Sequence, residues 1–461
     1  MTWYVSGFPT RLAYGVGQAA EGIKVATLGG LLLFYYHQVL GLSPTATGFA
    51  LFCGLLGDTA GGVVAGSISD RLRHHRGRRH PLMLAAVLPV CIALVALFWP
   101  PAIVSGIGLF FWLVLWLLIC RVAMTFFTVP HFALGADMAV SSYAKTANVA
   151  FRQFFYILGG ILVYWMARDL MVPTPDFPVA HINPAHYPEL AFYCTAIALV
   201  SMLVTTIGTW HFAVPTMGAE VLPDTKDNSF VRVYKDFDRT LRVGSFRRLM
   251  VCVGAFAIAA GTNRTTEIYV ATYFWGLPTS RAMLLPAATL LGSLAGVVFW
   301  TLLSRLVDKR NCYIGGIVTY GALAMALPVA FVLGLLPPVR SDTLAIIVLS
   351  GAALGGLLSA ASPVFIGAMI ADVIDADEAA GRQRRAASFF GTIAVVAKPA
   401  LAVSALVSGA LLATVGLESD THDAQQVSMS LGLLSGGVVG LCSITAGLLM
   451  RRYNPSAQLE A

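Results

Sequence analysis

Charged side chains are scarce in this chain. Asp, Glu, Lys and Arg make up 11% of its 461 residues, whereas an ordinary soluble domain contains roughly 25%. Hydrophobic residues make up 57%, and the apolar runs repeatedly reach the about 20 residues that a helix needs to cross the hydrocarbon core of a bilayer. The composition therefore excludes an ordinary soluble protein and predicts an all-α integral membrane protein.

The chain also lacks the motifs of several other protein classes. Its seven cysteines show no CxxC or metal-binding spacing, so neither a disulfide framework nor a zinc site is predicted. No Walker A loop, HExxH or GxSxG sequence is present, which argues against ATP-driven transport and the common hydrolase mechanisms. We expect no cofactor, no bound metal and no enzymatic activity.

Division of the chain at charge clusters, proline and glycine predicts twelve spans in two sets of six. The first set covers residues 11–37, 44–69, 81–100, 104–136, 145–168 and 188–211. The second set covers residues 246–274, 280–304, 312–336, 342–371, 384–416 and 427–451. Between the sets, residues 229–242 alternate apolar and charged side chains like an interfacial amphipathic helix. We therefore predict an N-terminal six-helix bundle over 1–211, a cytoplasmic linker over 212–245 and a C-terminal six-helix bundle over 246–461.

The basic residues indicate an orientation in the membrane. The net charge of +7 comes from Lys and Arg residues in short connectors, which are typical topology signals and argue against nucleic acid as a partner. Most of the 30 Lys and Arg residues fall on one side of the predicted spans, whereas connectors on the other side hold only Arg168, Arg281 and Arg340. The positive-inside rule then places both termini in the cytoplasm, and we expect a bacterial inner-membrane protein.

A weak internal repeat relates the two sets of spans. The connector SDRLRHHRGRRHP follows the second span and SRLVDKRNCYIGG follows the eighth, and parallel repeats are typical of secondary transporters. These connectors resemble those of the major facilitator superfamily. A narrower resemblance, to its glycoside-pentoside-hexuronide cation symporters of the melibiose permease-like branch, rests on YGVGQ, LLLFYYHQVLGLSPTATG, VPHFALGADM and ADVIDADEAAGRQRRAASFFGTIAVVAK. It covers nearly the whole chain and implies the major facilitator fold, with 12 transmembrane helices in two pseudo-symmetric six-helix bundles.

Ionisable residues inside membrane spans cost about 2.5–3.5 kcal/mol on insertion scales, so each is a functional candidate. The resemblance places Asp58 on the first carboxylate of the family's cation site, Thr125 on a cation-site hydroxyl and Lys398 on the lysine of the eleventh span. A buried carboxylate with a movable ammonium partner can exchange that partner for Na⁺ or titrate with H⁺. The alternative is a static structural ion pair.

The second cation-site carboxylate of the family and its neighbouring amide align with Gly62 and Gly61, which carry no side-chain oxygen. A hard cation needs several oxygen ligands, whereas a proton needs only one carboxylate. H⁺ is therefore the favoured coupling ion, and Na⁺-coupled transport and uniport are the alternatives.

Four residues are predicted to contact the solute: Glu21, Lys24, Thr128 and Arg152. Arg152 matches the fifth-span arginine of the family, and its guanidinium can bind sugar hydroxyls or a carboxylate. Thr128 stands where melibiose permease has a sugar-binding carboxylate, and Gly22 replaces the other such carboxylate. Glu21 and Lys24 lie one helical turn apart, so both a self-neutralising pair and a substrate contact are open.

Charged residues at cytoplasmic helix ends are predicted to cap helices or to form ion pairs that hold one conformation closed. This gating set comprises Asp70, Arg71, Arg78, Arg79, Asp308, Lys309 and Arg310. The stretch before the eleventh span resembles the family's connector there and is assigned a gating or topological role; it contains Asp372, Asp375, Asp377, Glu378, Arg382, Arg384 and Arg385. In the seventh span, Arg264 and Glu267 have i, i+3 spacing, which favours a structural ion pair there.

The sequence thus predicts a secondary active transporter, a cation- or proton-coupled symporter that moves a glycoside, hexuronate or other sugar-like solute by alternating access. Its expected partners are a small-molecule solute and the lipid bilayer, and we expect it to function as a monomer. One alternative is a transporter of lysolipids or other amphiphiles with the same fold. Alternatives from another class are a membrane-embedded enzyme and a non-transporting sensor.

Overall fold

The structure is a computed structural model that describes residues 7–71, 79–138, 142–212, 240–241, 243–379, 386–416 and 424–453. Every regular element in these ranges is helical. This follows from the apolar composition, because a segment that crosses a bilayer as a helix satisfies all its backbone hydrogen bonds internally.

The first predicted span, 11–37, is helical but interrupted. Helix α1 (Phe8–Val16) is followed by α2 (Gln18–Ala26), and two π-helical turns then cover Thr27–Leu31 and Tyr35–Val39. The first π turn contains Gly30, where a Cβ would lie 2.1 Å from the hydroxyl of Tyr164. A π turn is a local widening of the regular α-helical pattern. In the first span it coincides with the close approach of Tyr164 to Gly30.

The described residues of the first half continue with five long helices: α3 (Pro44–Arg71), α4 (His80–Phe98), α5 (Ile107–Asp137), α6 (Ser142–Leu170) and α7 (His186–Gly208). Helix α4 packs against α5 and α7, and α2 packs along α6. Small residues allow the second crossing. A Cβ on Gly22 would lie 2.0 Å from the carbonyl oxygen of Tyr156, and one on Gly159 would lie 2.3 Å from that of Ala19.

The second half contains α8 (Gly244–Tyr269), α9 (Leu284–Leu303), α10 (Lys309–Val332), α11 (Asp342–Ser359), α12 (Ala361–Ala379), α13 (Ala386–Val415) and α14 (Ala424–Met450). A π turn, Val270–Phe274, extends α8. Helix α10 packs along α14, α9 along α11, and α8 against both α13 and α14. Large buried side chains, among them Phe246, Tyr313, Phe365 and Phe389, form the core between these helices.

In the part of the chain that the structure describes, 11 helical segments are long and apolar enough to cross a membrane. They correspond to the second to twelfth predicted spans, with α11 and α12 together forming one of them. The first predicted span is not among the 11. The prediction of an all-helical membrane protein is confirmed.

The described residues form two compact units. The first comprises 7–42 and 53–212, and the second comprises 43–52 and 240–453. Within the second unit, the start of α3 lies against α13, and a Cβ on Gly48 would come 2.6 Å from the carbonyl oxygen of Ala405. The predicted linker helix over 229–242 lies outside the described residues except for Thr240 and Leu241.

Candidate cation and solute site of the first unit

The predicted cation-site residues of α3 and α5 are in contact. Thr125 Oγ1 donates a hydrogen bond of 2.6 Å to Asp58 Oδ1, and the same hydroxyl lies 2.9 Å from the backbone carbonyl oxygen of Arg121. Gly54 and Gly57 bring the two helices together, since a Cβ at either position would lie within 2.6 Å of a leucine side chain of α5. Thr125 is buried, so this contact is held inside the first unit.

Lys24 adds a buried cation to this cluster. Its Nζ lies 2.8 Å from Glu21 Oε1, so the i, i+3 pair considered from the sequence is formed. Only 3% of Lys24 is exposed, and its ammonium lies within electrostatic range of Asp58 and Arg121. Two carboxylates and two cations therefore meet in what we call the charge cluster, Glu21, Lys24, Asp58 and Arg121.

Packing accounts for one of the glycines that stand in place of family side chains, Gly22, but not for Gly61. Gly22 is required by packing, because α6 leaves no space for a Cβ there. Gly61 is not, since a Cβ would meet the Val122 side chain at 3.4 Å, an ordinary van der Waals distance. The side-chain oxygen that position 61 lacks beside Asp58 is therefore not excluded by crowding.

Arg152 of α6 lies against aromatic residues. Its guanidinium carbon is 4.1 Å from the centroid of the Phe132 ring, and its side chain lies within electrostatic range of the Tyr14 hydroxyl. A cation over an aromatic face is stabilised by about 0.5–2 kcal/mol, depending on how far it is desolvated. Because 43% of Phe132 is exposed, the Arg152–Phe132 pair borders accessible space.

The buried side-chain atoms of the first unit that have no hydrogen-bond partner among the described residues include Gln18 Oε1, Glu21 Oε2 and His131 Nδ1. Buried polar groups normally have partners, so these atoms call for an explanation. Gln18 and Glu21 are three residues apart and share a face of α2. His131 stacks on the ring of Tyr14 with centroids 4.3 Å apart, and its Nε2 lies 2.8 Å from the Tyr14 carbonyl oxygen.

The other two predicted site residues are Thr128 and Lys398. The hydroxyl of Thr128 is directed toward its own helix, 3.5 Å from the carbonyl oxygen of Thr125. Lys398 is half-buried in α13 of the second unit, beside Pro399. The solute-binding role of Thr128 and the coupling role of Lys398 stay predictions.

Two of the predicted gating residues whose side chains are described, Arg79 and Lys309, form ion pairs at helix ends. In the first unit, Arg79 Nε donates to Asp137 Oδ2 at 2.6 Å and joins the start of α4 to the end of α5. In the second unit, Lys309 Nζ lies 2.9 Å from both carboxylate oxygens of Asp372 and joins the start of α10 to α12. The two pairs occupy corresponding places in the two repeats.

Asp308 and Arg310 organise the start of α10. The carboxylate of Asp308 accepts a 3.1 Å hydrogen bond from the backbone N–H of Arg310 and caps the helix. The Arg310 guanidinium donates to the carbonyl oxygen of Tyr453 at 3.1 Å. Arg78 and the side chains of Asp70 and Arg71 lie outside the described residues, and the gating role of the whole set stays a prediction.

In the described part of the chain, the predicted ion pair between Arg264 and Glu267 does not form, so this prediction is wrong. Of the side chains that the structure describes, Arg264 and Glu267 lie within electrostatic range, but they form no ion pair. Glu267 Oε1 instead accepts a 3.0 Å hydrogen bond from Thr289 Oγ1 of α9. The i, i+3 spacing allows a pair on one helix, but a neighbouring helix offers a competing donor.

Sequence reasoning missed three contacts: those of Arg152 with Tyr14 and with Phe132, and the approach of Lys24 to Asp58. Helical spacing shows which residues share a face, but not which helices face one another. One signal was available, because Tyr14 begins the stretch YGVGQ and Phe132 lies within VPHFALGADM. Both stretches carry the family resemblance.

Comparisons with known proteins extend this picture. The family described as MFS/sugar transport protein matches residues 13–456. The uncharacterized symporter sll1374 of Synechocystis sp. is 27% identical over 201 residues, which cover 42% of this chain and 36% of that protein. YagG of Escherichia coli (strain K12), by its name a candidate glycoside/cation symporter, is 22% identical over 416 residues and covers 89% of this chain and 84% of its own.

A solved structure of a D-xylose-proton symporter has a TM-score of 0.70 and 15% sequence identity, with 98% of each chain covered. At this identity the likeness shows the fold, which is the predicted major facilitator fold. The predicted resemblance to the glycoside-pentoside-hexuronide symporters is also confirmed. Because the family match extends over nearly the whole sequence, this chain belongs to the MFS/sugar transport protein family, whose members are multi-pass membrane transporters rather than enzymes.

Proposed function

We propose that this protein is a secondary active symporter that moves a sugar-like solute by alternating access and couples it to H⁺ through Asp58. The observation that carries this proposal is the 2.6 Å hydrogen bond from Thr125 to Asp58 inside the charge cluster. Carboxylates inside membrane spans are costly, and they mark ion or proton pathways. The names of YagG and of the D-xylose-proton symporter support symport of a sugar or glycoside.

Ligand chemistry favours H⁺ over Na⁺ at Asp58. Gly61 and Gly62 contribute no side-chain oxygen on the turn that follows Asp58, and Lys24 already brings a fixed cation into range. A hard metal ion needs several oxygen ligands, whereas protonation needs only the carboxylate. Protonation of Asp58 would remove one negative charge from the cluster and change the partners available to Lys24.

The polar atoms near α2 fit a solute that carries hydroxyl groups. A sugar hydroxyl both donates and accepts hydrogen bonds, so it can donate to Gln18 Oε1, Glu21 Oε2 or His131 Nδ1, which have no partner among the described residues. Arg152 supplies donors for hydroxyl or carboxylate oxygens, and the exposed ring of Phe132 supplies an apolar face. This combination supports a glycoside or hexuronate as the solute class.

The test is uptake into proteoliposomes of a radiolabelled panel of glycosides, hexuronates and lysolipids, with H⁺ and Na⁺ gradients imposed separately. We expect a sugar-like solute to accumulate when the H⁺ gradient is applied. Asp58→Asn should abolish uphill accumulation and spare solute exchange, because it removes the titrating group. Thr59→Val is the matched control, since the Thr59 hydroxyl donates to Leu55 of its own helix at 3.1 Å and should be dispensable.

Three results would contradict the proposal. Undiminished uphill uptake by Asp58→Asn would remove Asp58 from the coupling mechanism. Accumulation driven by Na⁺ alone would contradict the choice of ion, and uptake of lysolipid alone would contradict the choice of solute.

A further inference from the structure

A cavity of about 130 Å³ lies within the second unit, between α8, α9, α10, α11 and α14. A water molecule needs roughly 10–15 Å³ of such space, so the cavity has room for an ion with several waters. It belongs to a different unit from the charge cluster and shares no residue with it. Nothing in the proposed coupling at Asp58 uses this cavity.

Four polar side chains of the cavity come from the neighbouring helices α8 and α9. Asn263 and Glu267 are four residues apart on α8 and therefore share a face, with Thr266 beside them and Thr289 on α9. The other walls are mainly apolar and include Val270, Leu285, Leu323, Leu327, Val348 and Ala352. An acid, an amide and two hydroxyls thus lie together on α8 and α9, while Tyr320 and Ser435 add hydroxyls to a lining that is otherwise mainly apolar.

Two of these groups are oriented so that they present oxygen lone pairs. Thr289 Oγ1 lies 3.0 Å from Glu267 Oε1 and 3.2 Å from the carbonyl oxygen of Leu285, so its single proton is donated to one of these acceptors. Thr266 Oγ1 donates its proton to the carbonyl oxygen of Thr262 at 2.8 Å. A hydroxyl whose proton is already donated can still accept or coordinate through its lone pairs. The wall therefore offers acceptors, which suit a cation.

The charged groups around Glu267 also favour a cation in the cavity. The carboxylate is hydrogen-bonded by Thr289 and lines the cavity, while Arg264 is not among the residues that line it and forms no ion pair with it in the part of the chain that is described. Tyr320 is a further titratable group at the cavity. Since an ionised carboxylate without a contacting counter-charge is costly inside a membrane, a cation in the cavity would stabilise it.

We propose that this cavity is a Na⁺ site in which Glu267 supplies the charged ligand and Asn263, Thr266 and Thr289 supply neutral oxygens. Hard cations take carboxylate, amide, hydroxyl and water oxygens, and all four kinds fit here. A proton would need only Glu267 and would give the amide and the two hydroxyls no part in binding. The site is independent of the H⁺ coupling at Asp58, so either proposal can fail without the other.

Trp275 lines the cavity and provides a local reporter. The full-length protein, purified in detergent, is titrated with NaCl against choline chloride at constant ionic strength while tryptophan fluorescence is recorded. We expect a saturable change with Na⁺ that choline does not produce. Trp275→Phe should remove the optical signal and keep the thermal stabilisation by Na⁺, which follows from binding to the folded state.

The ligand variants test the assignment directly. Glu267→Gln and Asn263→Ala should each weaken the Na⁺ response at least tenfold, and Thr289→Val should weaken it several-fold. The matched control is Glu189→Gln, which removes an exposed carboxylate from the first turn of α7 and should leave the response unchanged. If Glu267→Gln does not fold, Asn263→Ala and Thr289→Val give the same test.

Asp58→Asn separates this site from the charge cluster, because it should keep the full Na⁺ response. Loss of the response in Asp58→Asn but not in Glu267→Gln would overturn the proposal and place the Na⁺ site in the first unit. Absence of any Na⁺ response in the unsubstituted protein would overturn it as well. A response to pH alone that requires Glu267 would make the cavity a proton site and would also reject the assignment.

Discussion

The charge cluster contains equal numbers of positive and negative side chains. Glu21 and Asp58 supply two negative charges, and Lys24 and Arg121 supply two positive ones. Removal of one partner from a buried pair costs about 3–5 kcal/mol, because it leaves an uncompensated charge. Proton binding or solute binding at one member must therefore change the interactions of the others.

A double-mutant cycle on Glu21 and Lys24 tests this coupling. Lys24→Met should lower the free energy of unfolding by about 3 kcal/mol, and the double variant Glu21→Gln, Lys24→Met should recover part of that loss. Thermal unfolding in detergent is the measurement. The control pair is Arg168 and Asp169, which are 4.0 Å apart with side chains 35% and 58% exposed, so its interaction should be worth less than about 1 kcal/mol. Equal couplings for the two pairs would contradict a buried, balanced cluster.

The glycines at positions 22 and 61 should respond differently to substitution. Gly22→Ala inserts a methyl group 2.0 Å from the Tyr156 carbonyl oxygen, and overpacking of this kind costs about 1–3 kcal/mol or more. Gly61→Ala meets Val122 at an ordinary distance and should be neutral or slightly stabilising, as alanine favours helices. Melting temperatures of the two variants, measured side by side, decide the matter. A similar loss in both would contradict the packing argument.

At the scale of elements, the interrupted first span carries several candidate site residues. Glu21 and Lys24 lie in α2, directly before the π turn Thr27–Leu31. Thr27 donates its hydroxyl proton toward the carbonyl oxygens of Ile23 and Lys24. π turns are often found at functional sites, and here the turn follows the segment that brings Lys24 to Asp58.

The connection between α6 and α7 contains a buried histidine that should make stability depend on pH. His181 is fully buried beside Phe34, and burial lowers its pKa to about 4 from an ordinary value of 6.5. Below pH 6.5 the unfolded chain binds a proton that the folded protein excludes, so the stability contribution present above that pH is lost as the pH falls toward 4. Acidification from pH 7 to 4.5 should cost about 2–3 kcal/mol through this residue.

His181→Asn should flatten the dependence of the melting temperature on pH across that interval, because it removes the titrating ring. The hydrogen bond of Tyr187 to position 181 is retained, since it is donated to the backbone carbonyl oxygen at 2.7 Å. His186→Asn provides the comparison, because His186 is only partly buried in the same region. If His186→Asn flattens the profile and His181→Asn does not, the buried ring is not the source.

For the whole molecule, hydropathy and charge predicted the second to twelfth spans, because membrane crossing depends on length and apolar composition alone. The π turns of the first span were not predicted, since they accompany contacts such as that of Gly30 with Tyr164. The Asp58–Thr125 contact followed from the family resemblance. The Arg152–Tyr14 contact and the hydrogen bond of Thr289 to Glu267 depend on which helices face each other, which spacing along one helix does not contain.

The orientation of the whole molecule follows from the distribution of basic residues and can be measured. Translocation of Lys and Arg is disfavoured, so the connectors rich in these residues should stay in the cytoplasm together with both termini. A fluorescent protein fused after residue 461 should therefore fluoresce, and alkaline phosphatase at the same position should be inactive. Alkaline phosphatase inserted after Asp176, between α6 and α7, should be active, because that segment is expected on the opposite side. The reverse pattern would place the Arg79–Asp137 and Lys309–Asp372 pairs outside the cytoplasm and would remove the basis for a cytoplasmic gate.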